Sequence, residues 1–163
     1  MLITEFTKYS DVVAVERFFD DETVKRIKTL AQDKLGSFYD LPFGTFYACQ
    51  SGDFSHLGDM SDPTVLQVYW CKMFGEESIA YLEKLKGLAI TPTAKEERAR
   101  QGLLRVDFFE AMLVFMQKWF GLKSYREAEQ ITLGDLLIAK RAEHNEIQYN
   151  RNMTAIRRSE NKK

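Results

Sequence analysis

Apolar residues recur at helical spacing along most of this chain, and glycines, prolines and short polar caps mark where the runs begin and end. Asp20 or Asp21 is placed to cap a helix carrying Val24, Ile27, Leu30, Ala31 and Leu35, with Gly36 as its terminator. Asp62 and Pro63 predict a helix start, running to Phe74 and stopping at Gly75. Glu76 to Leu85 then reads as a separate helix with Ile79, Leu82 and Leu85 on one side, and Gly87 after it. Thr93 with Glu96 fits a capping box opening a charged segment through Arg100 that has little apolar surface to bury. Val106 to Phe120 has the strongest periodicity, closed by Gly121. The last element begins near Thr132 and continues to about Arg158, because no proline or glycine follows Gly134. Strand signals are thin: Ile3 to Tyr9 alternates weakly and Phe38 to Cys49 is aromatic, but neither has a hairpin partner. The pattern predicts an all-α compact bundle of about five to seven helices with a long C-terminal helix. At 163 residues it is read as a single helical domain spanning 1–163.

Two short segments echo each other. Leu41-Pro42-Phe43-Gly44-Thr45-Phe46-Tyr47 and Ile131-Thr132-Leu133-Gly134-Asp135-Leu136-Leu137 share an apolar residue, a cap or proline, an apolar residue, glycine, a polar residue and two apolar ones. Both read as helix starts in which glycine allows another backbone to come close. The match is too short to imply duplication.

Composition leaves this picture standing, with 45% hydrophobic, 13% aromatic and 29% charged residues, ordinary for a globule and unlike a disordered chain. A net charge of −1 argues against a wholesale polyanion binder. The segment 151–163 is nonetheless basic, with Arg151, Arg157, Arg158, Lys162 and Lys163 against Glu160 alone, and reads as a frayed helix end suited to the helix dipole. Cys49 and Cys71 are not in a Cys-x-x-Cys pair and suit core positions in a reducing cytosol. The opening Met1 to Phe6 lacks a signal peptide's basic region, and the longest strongly apolar run, Ala111 to Met116, falls far short of the ~20 residues that span a bilayer. A cytoplasmic protein without a membrane segment is expected.

Candidate chemistry is sparse. His56 and His144 each lack a second histidine at ligand spacing, so no zinc or other metal site is expected. Asp107 and Glu110 share a helix face and would suit acid–base work if one were desolvated. With Gln117 and Lys118 they also form one narrow polar stripe, which solvation explains. No nucleophile elbow, phosphate loop or dinucleotide fingerprint is present. The chain therefore reads as non-enzymatic, with no cofactor.

What remains is apolar surface. Val65, Leu66, Val68, Tyr69, Trp70, Met73 and Phe74 cover most of one helix, and Phe108 through Phe120 do the same on another. Helices apolar nearly all round form the centre of a bundle, or exceed what one chain covers and leave a patch for self-association or a partner. The long last helix changes character beyond Ala142, where Ile147, Met153 and Ile156 are islands in polar sequence; sparse anchors suit helix-in-groove contact. Tyr69, Trp70, Trp119, Ile147, Tyr149, Met153 and Arg157 are the expected partner-binding residues. An alternative reading is a regulatory module touching nucleic acid through the basic C-terminal helix.

The C-terminal third runs Phe120-Gly121-Leu122, Tyr125, Ile131-Thr132-Leu133-Gly134-Asp135-Leu136 and Arg141-Ala142-Glu143-His144-Asn145. It resembles the small helical tail assembly chaperones of long-tailed bacteriophages and prophages, in which a similar helix start precedes a polar helix rich in Asn, Glu and Arg. The segment Leu41 to Tyr47 is similar to helix starts of small phage structural and assembly proteins. The resemblance implies a protein without an active site that keeps the aggregation-prone tape-measure protein soluble and helps tail-tube subunits gather around it.

Overall fold

The computed structural model describes residues 20–61, 63–103 and 106–161. The expected alternation at Ile3 to Tyr9, the cap at Asp62 and the terminal Lys162 and Lys163 lie outside the described residues. Seven α-helices occur among the described residues: α1 (Asp21–Leu35), α2 (Phe43–Gln50), α3 (Val65–Gly87), α4 (Ala94–Ala99), α5 (Phe108–Phe120), α6 (Tyr125–Glu129) and α7 (Leu133–Glu160). Short 3-10 turns occupy Phe38–Asp40 and Ser55–Leu57. No strand occurs among the described residues, and the all-α expectation holds. No helix among them is long and apolar enough to cross a membrane.

Caps explain most boundaries. The Asp20 carboxylate accepts from the Thr23 amide at 2.7 Å and starts α1. Thr93 and Glu96 close the expected capping box at the start of α4. Thr132 caps α7 by accepting from the Asp135 amide, and Gly121 ends α5 in the left-handed conformation at φ 65°. The sequence reading is corrected at three boundaries. The segment expected to break at Gly75 is one continuous 23-residue helix, α3. Buried neighbours on both sides of Gly75, Met73, Phe74 and Ser78, hold the helix through it, and packing outweighs the ~1 kcal/mol intrinsic cost of a mid-helix glycine. That helix is capped by Thr64, boxed with Gln67, rather than started at Pro63. Likewise α5 starts at Phe108 rather than Val106, because Asp107 is its cap.

Buried residues from Ala31 to Leu137 form one core cluster. At its centre the Phe38 ring meets Phe46, Phe74 and Tyr81 with centroids 6.0, 5.8 and 5.7 Å away. Such tilted and edge-on pairs contribute about 0.5–1.5 kcal/mol each beyond the area they bury. Two polar tips within this cluster find backbone acceptors. The Tyr81 hydroxyl donates to the Leu133 carbonyl at 3.0 Å, and the Trp70 indole donates to the Gly36 carbonyl at 3.0 Å.

The two echoing segments lie against each other. Pro42 and Thr132 form an antiparallel bridge; the Phe43 amide donates to the Ile131 carbonyl at 2.8 Å, and the Leu133 amide donates to Leu41 at 2.9 Å. The pairing is reciprocal in its glycines too. A Cβ on Gly44 would sit 3.1 Å from Glu129 Cβ, and one on Gly134 would sit 3.3 Å from the Tyr39 carbonyl. Each glycine thus admits the turn that precedes the other motif. The 3-10 turn at Phe38–Asp40 packs on α7, and α6 packs on α2, completing a local two-fold arrangement of turn, bridge and helix start.

Candidate protein-binding surface

Helix α5 turns Leu113 and Met116 fully inward, with Phe109 and Met112 beside them against the core. Phe109 stacks on Phe43 and Tyr47 with centroids 5.1 and 3.8 Å away. One flank is left over. Phe108, Phe115 and Trp119 follow one another at seven and four residues, so they share a stripe. Phe108 and Trp119 are exposed and Phe115 is half-buried, while Val114 and Phe120 add exposed apolar surface further round. The flank exists because a 13-residue helix with ten apolar positions has more apolar surface than the core can take.

Across from it runs α7. A groove of about 520 Å³ between the two helices is lined by Phe115, Trp119 and Ile147, with Lys118, Glu143, Glu146 and Asn150 at its edges. Phe115 and Trp119 stack at 5.6 Å, and the Lys140 ammonium lies 4.3 Å over the Phe115 ring while pairing with Glu143. Apolar floor and charged rim are the makeup of a protein-binding groove.

The polar half of α7 is held by two side chains that the sequence presents only as an isolated histidine and as part of a basic tail. His144 makes a 3.0 Å contact from Nδ1 to the Leu88 carbonyl. Arg151 donates both terminal nitrogens to the Thr91 carbonyl at 3.2 Å and one of them to Glu96 at 3.1 Å. Their signal was present as positions 144 and 151, seven apart on one face, but their targets lie some 55 residues away and leave no local trace.

The expected contact residues divide. Trp119 and Ile147 meet at the groove, whereas Tyr149 and Arg157 are exposed elsewhere on α7 and Met153 is half-buried. Tyr69 and Trp70 lie in the core, 1% and 2% exposed, with the Trp70 indole stacked on Phe74 and donating to the Gly36 carbonyl at the end of α1. No partner reaches them without unfolding that packing.

Candidate catalytic groups fare as follows. Asp107 and Glu110 are both exposed and engaged with each other's backbone amides in the capping box of α5. Cys49 Sγ lies 3.6 Å from His56 Nδ1, and the His56 ring sits edge-on to Trp70 at 5.0 Å. Burial pushes the Cys49 thiol up to about 12, and burial lowers the His56 pKa, so each group is held in its neutral form. Such a pair lacks the thiolate that nucleophilic chemistry requires. No group of three potential metal ligands occurs among the described residues. No protein-family model, characterised protein or solved structure matches the chain.

Proposed function

We propose that this protein is a non-enzymatic assembly factor that holds an apolar helical segment of another protein in the groove between α5 and α7. The observation that carries the reading is the groove lined by Phe115, Trp119 and Ile147, with exposed Phe108 continuing the same stripe of α5. A stripe of this spacing receives the apolar side of an amphipathic helix, and the ions at the rim keep the empty groove soluble. The resemblance in the C-terminal third supports a tail-assembly-chaperone role, whose client would be the tape-measure or tail-tube protein. The nucleic-acid alternative is less supported, since Arg151, one of its three arginines, is engaged with Thr91 and Glu96.

Gene neighbourhood gives the first test: a tail-tube gene upstream and a very long helical-repeat gene downstream are expected. Co-expression with that long protein gives the second. The wild-type chain should keep it in the soluble fraction, and the Phe108→Ser, Trp119→Ser pair should lose this while keeping its own circular dichroism and melting temperature. Undiminished solubilisation by that folded variant would rule the groove out.

A further inference from the structure

Helix α7 has a second face that its own body does not use. Residues pointing inward along it are Leu133, Leu136, Leu137, Lys140, Glu143, His144, Ile147 and Arg151, a stripe of helical period against the core and the 88–96 segment. On the opposite side, Ile138, Ala142, Asn145, Tyr149, Asn152 and Ile156 are all exposed. Ile138, Tyr149 and Ile156 are 65%, 63% and 49% exposed, which is unusual for apolar side chains along one line of a helix. The six positions together, Asn145 and Asn152 included, are spaced four, three, four, three and four, the alternation of a two-stranded coiled-coil seam. At 100° per residue the six stay within about 40° of a single line, so the seam does not drift off the helix.

We infer that this outer face of α7 pairs with the same face of a second copy, in parallel and in register. Three features choose this occupant and orientation. First, the charges beside the seam are complementary to themselves: Arg141 precedes the Ala142 seam position and Glu146 follows the Asn145 position. In a parallel pair these are the flanking sites that meet across the interface, giving two Arg141–Glu146 contacts between copies. An antiparallel pair would bring Glu146 opposite Glu146 instead. Second, Asn145 and Asn152 meet their own counterparts only in the parallel register, where each amide both donates and accepts. Third, the inward stripe lies opposite the seam, so both globular bodies point away from the pairing line.

The pairing does not require a client in the α5–α7 groove, and the test reads self-association of the chain alone. Sedimentation equilibrium of the full chain, from micromolar to submillimolar concentration, should show a monomer–dimer equilibrium. Ile138→Lys with Tyr149→Glu should weaken dimerisation at least tenfold, with the melting curve of a dilute monomeric sample unchanged, since neither side chain touches the core. Arg141→Glu alone should weaken it, and Arg141→Glu with Glu146→Arg should restore it. A monomer throughout the range, or a dimer indifferent to the Ile138 and Tyr149 changes, overturns the pairing. Tighter association from Glu146→Arg alone overturns the parallel orientation.

Discussion

Glycines separate packing from propensity most cleanly at single-residue scale. Gly44 and Gly134 face atoms 3.1 and 3.3 Å from where a Cβ would stand, whereas Gly87, without a positive φ, has nothing within 4 Å. Alanine at Gly44 or Gly134 is expected to lower the melting temperature by pushing the two paired segments apart. Alanine at Gly87 is expected to raise stability by about 0.5–1 kcal/mol through the unfolded chain's lost freedom. Thermal melts of the three variants check both signs. The cysteines offer a second single-residue test. Burial raises the thiols of Cys49 and Cys71 to about 12 and about 11 from an ordinary 9.0. The folded state therefore keeps protons that the unfolded chain releases. The associated stability is present below about pH 9 and falls progressively toward pH 12. Cys49→Ala should flatten that alkaline loss in chemical denaturation, and a thiol reagent at neutral pH should label Cys49 only after unfolding.

Among elements, α7 shows what sets the order of a long polar helix. Its first turns are fixed by buried Leu133, Leu136, Leu137 and Ala139, and its distal half depends on His144 and Arg151. Arg151→Ala should accelerate amide exchange from about Asn145 onward and leave α3 unchanged. Arg151→Lys should recover only part, since an ammonium does not reproduce the planar two-nitrogen grip on the Thr91 carbonyl. Glu96 is held below the usual carboxylate range first by hydrogen bonds from Thr93 and then by Arg151. Its contribution to this anchoring is present above the unfolded carboxylate pKa and is lost as pH falls through the lowered one. Elements of this kind were legible wherever they were decided locally. Thr93 with Glu96, Thr132, Asp20 and Gly121 announce their helix ends by short-range chemistry. Gly75 did not break its helix because long-range burial of Phe74 and Ser78 overrode it, and no local pattern carries that information. The candidate surface was half legible for the same reason. Trp119 and Ile147 stand out by apolar surplus, but nothing in the composition of α3 tells which of its apolar residues, Tyr69 and Trp70 among them, are buried.

At the scale of the molecule, one core cluster among the described residues joins positions from Ala31 to Leu137. The surface carries the groove proposed to take a foreign helix and the seam proposed to pair with a second copy. Helix α7 lies between them, and Glu146 borders both. Filling the groove and pairing through the seam are therefore expected to influence each other through that residue. The measurement is dimer affinity with and without bound client, and Glu146→Gln should reduce the difference.

The bridge between Leu41–Phe43 and Ile131–Leu133 has a consequence in time. Its two strands of backbone are 90 positions apart, so during synthesis the first half waits for the second. At roughly 5–20 residues per second the interval is on the order of 5–20 s. Throughout it, Phe43 and Phe46 are already made while Leu133 and Leu136, members of the same core cluster, are not. A nascent chain arrested before Ile131 should be held by ribosome-associated chaperones, and release should come only when Leu133 has emerged. A protein proposed to shield the apolar segments of others would itself begin life in need of shielding.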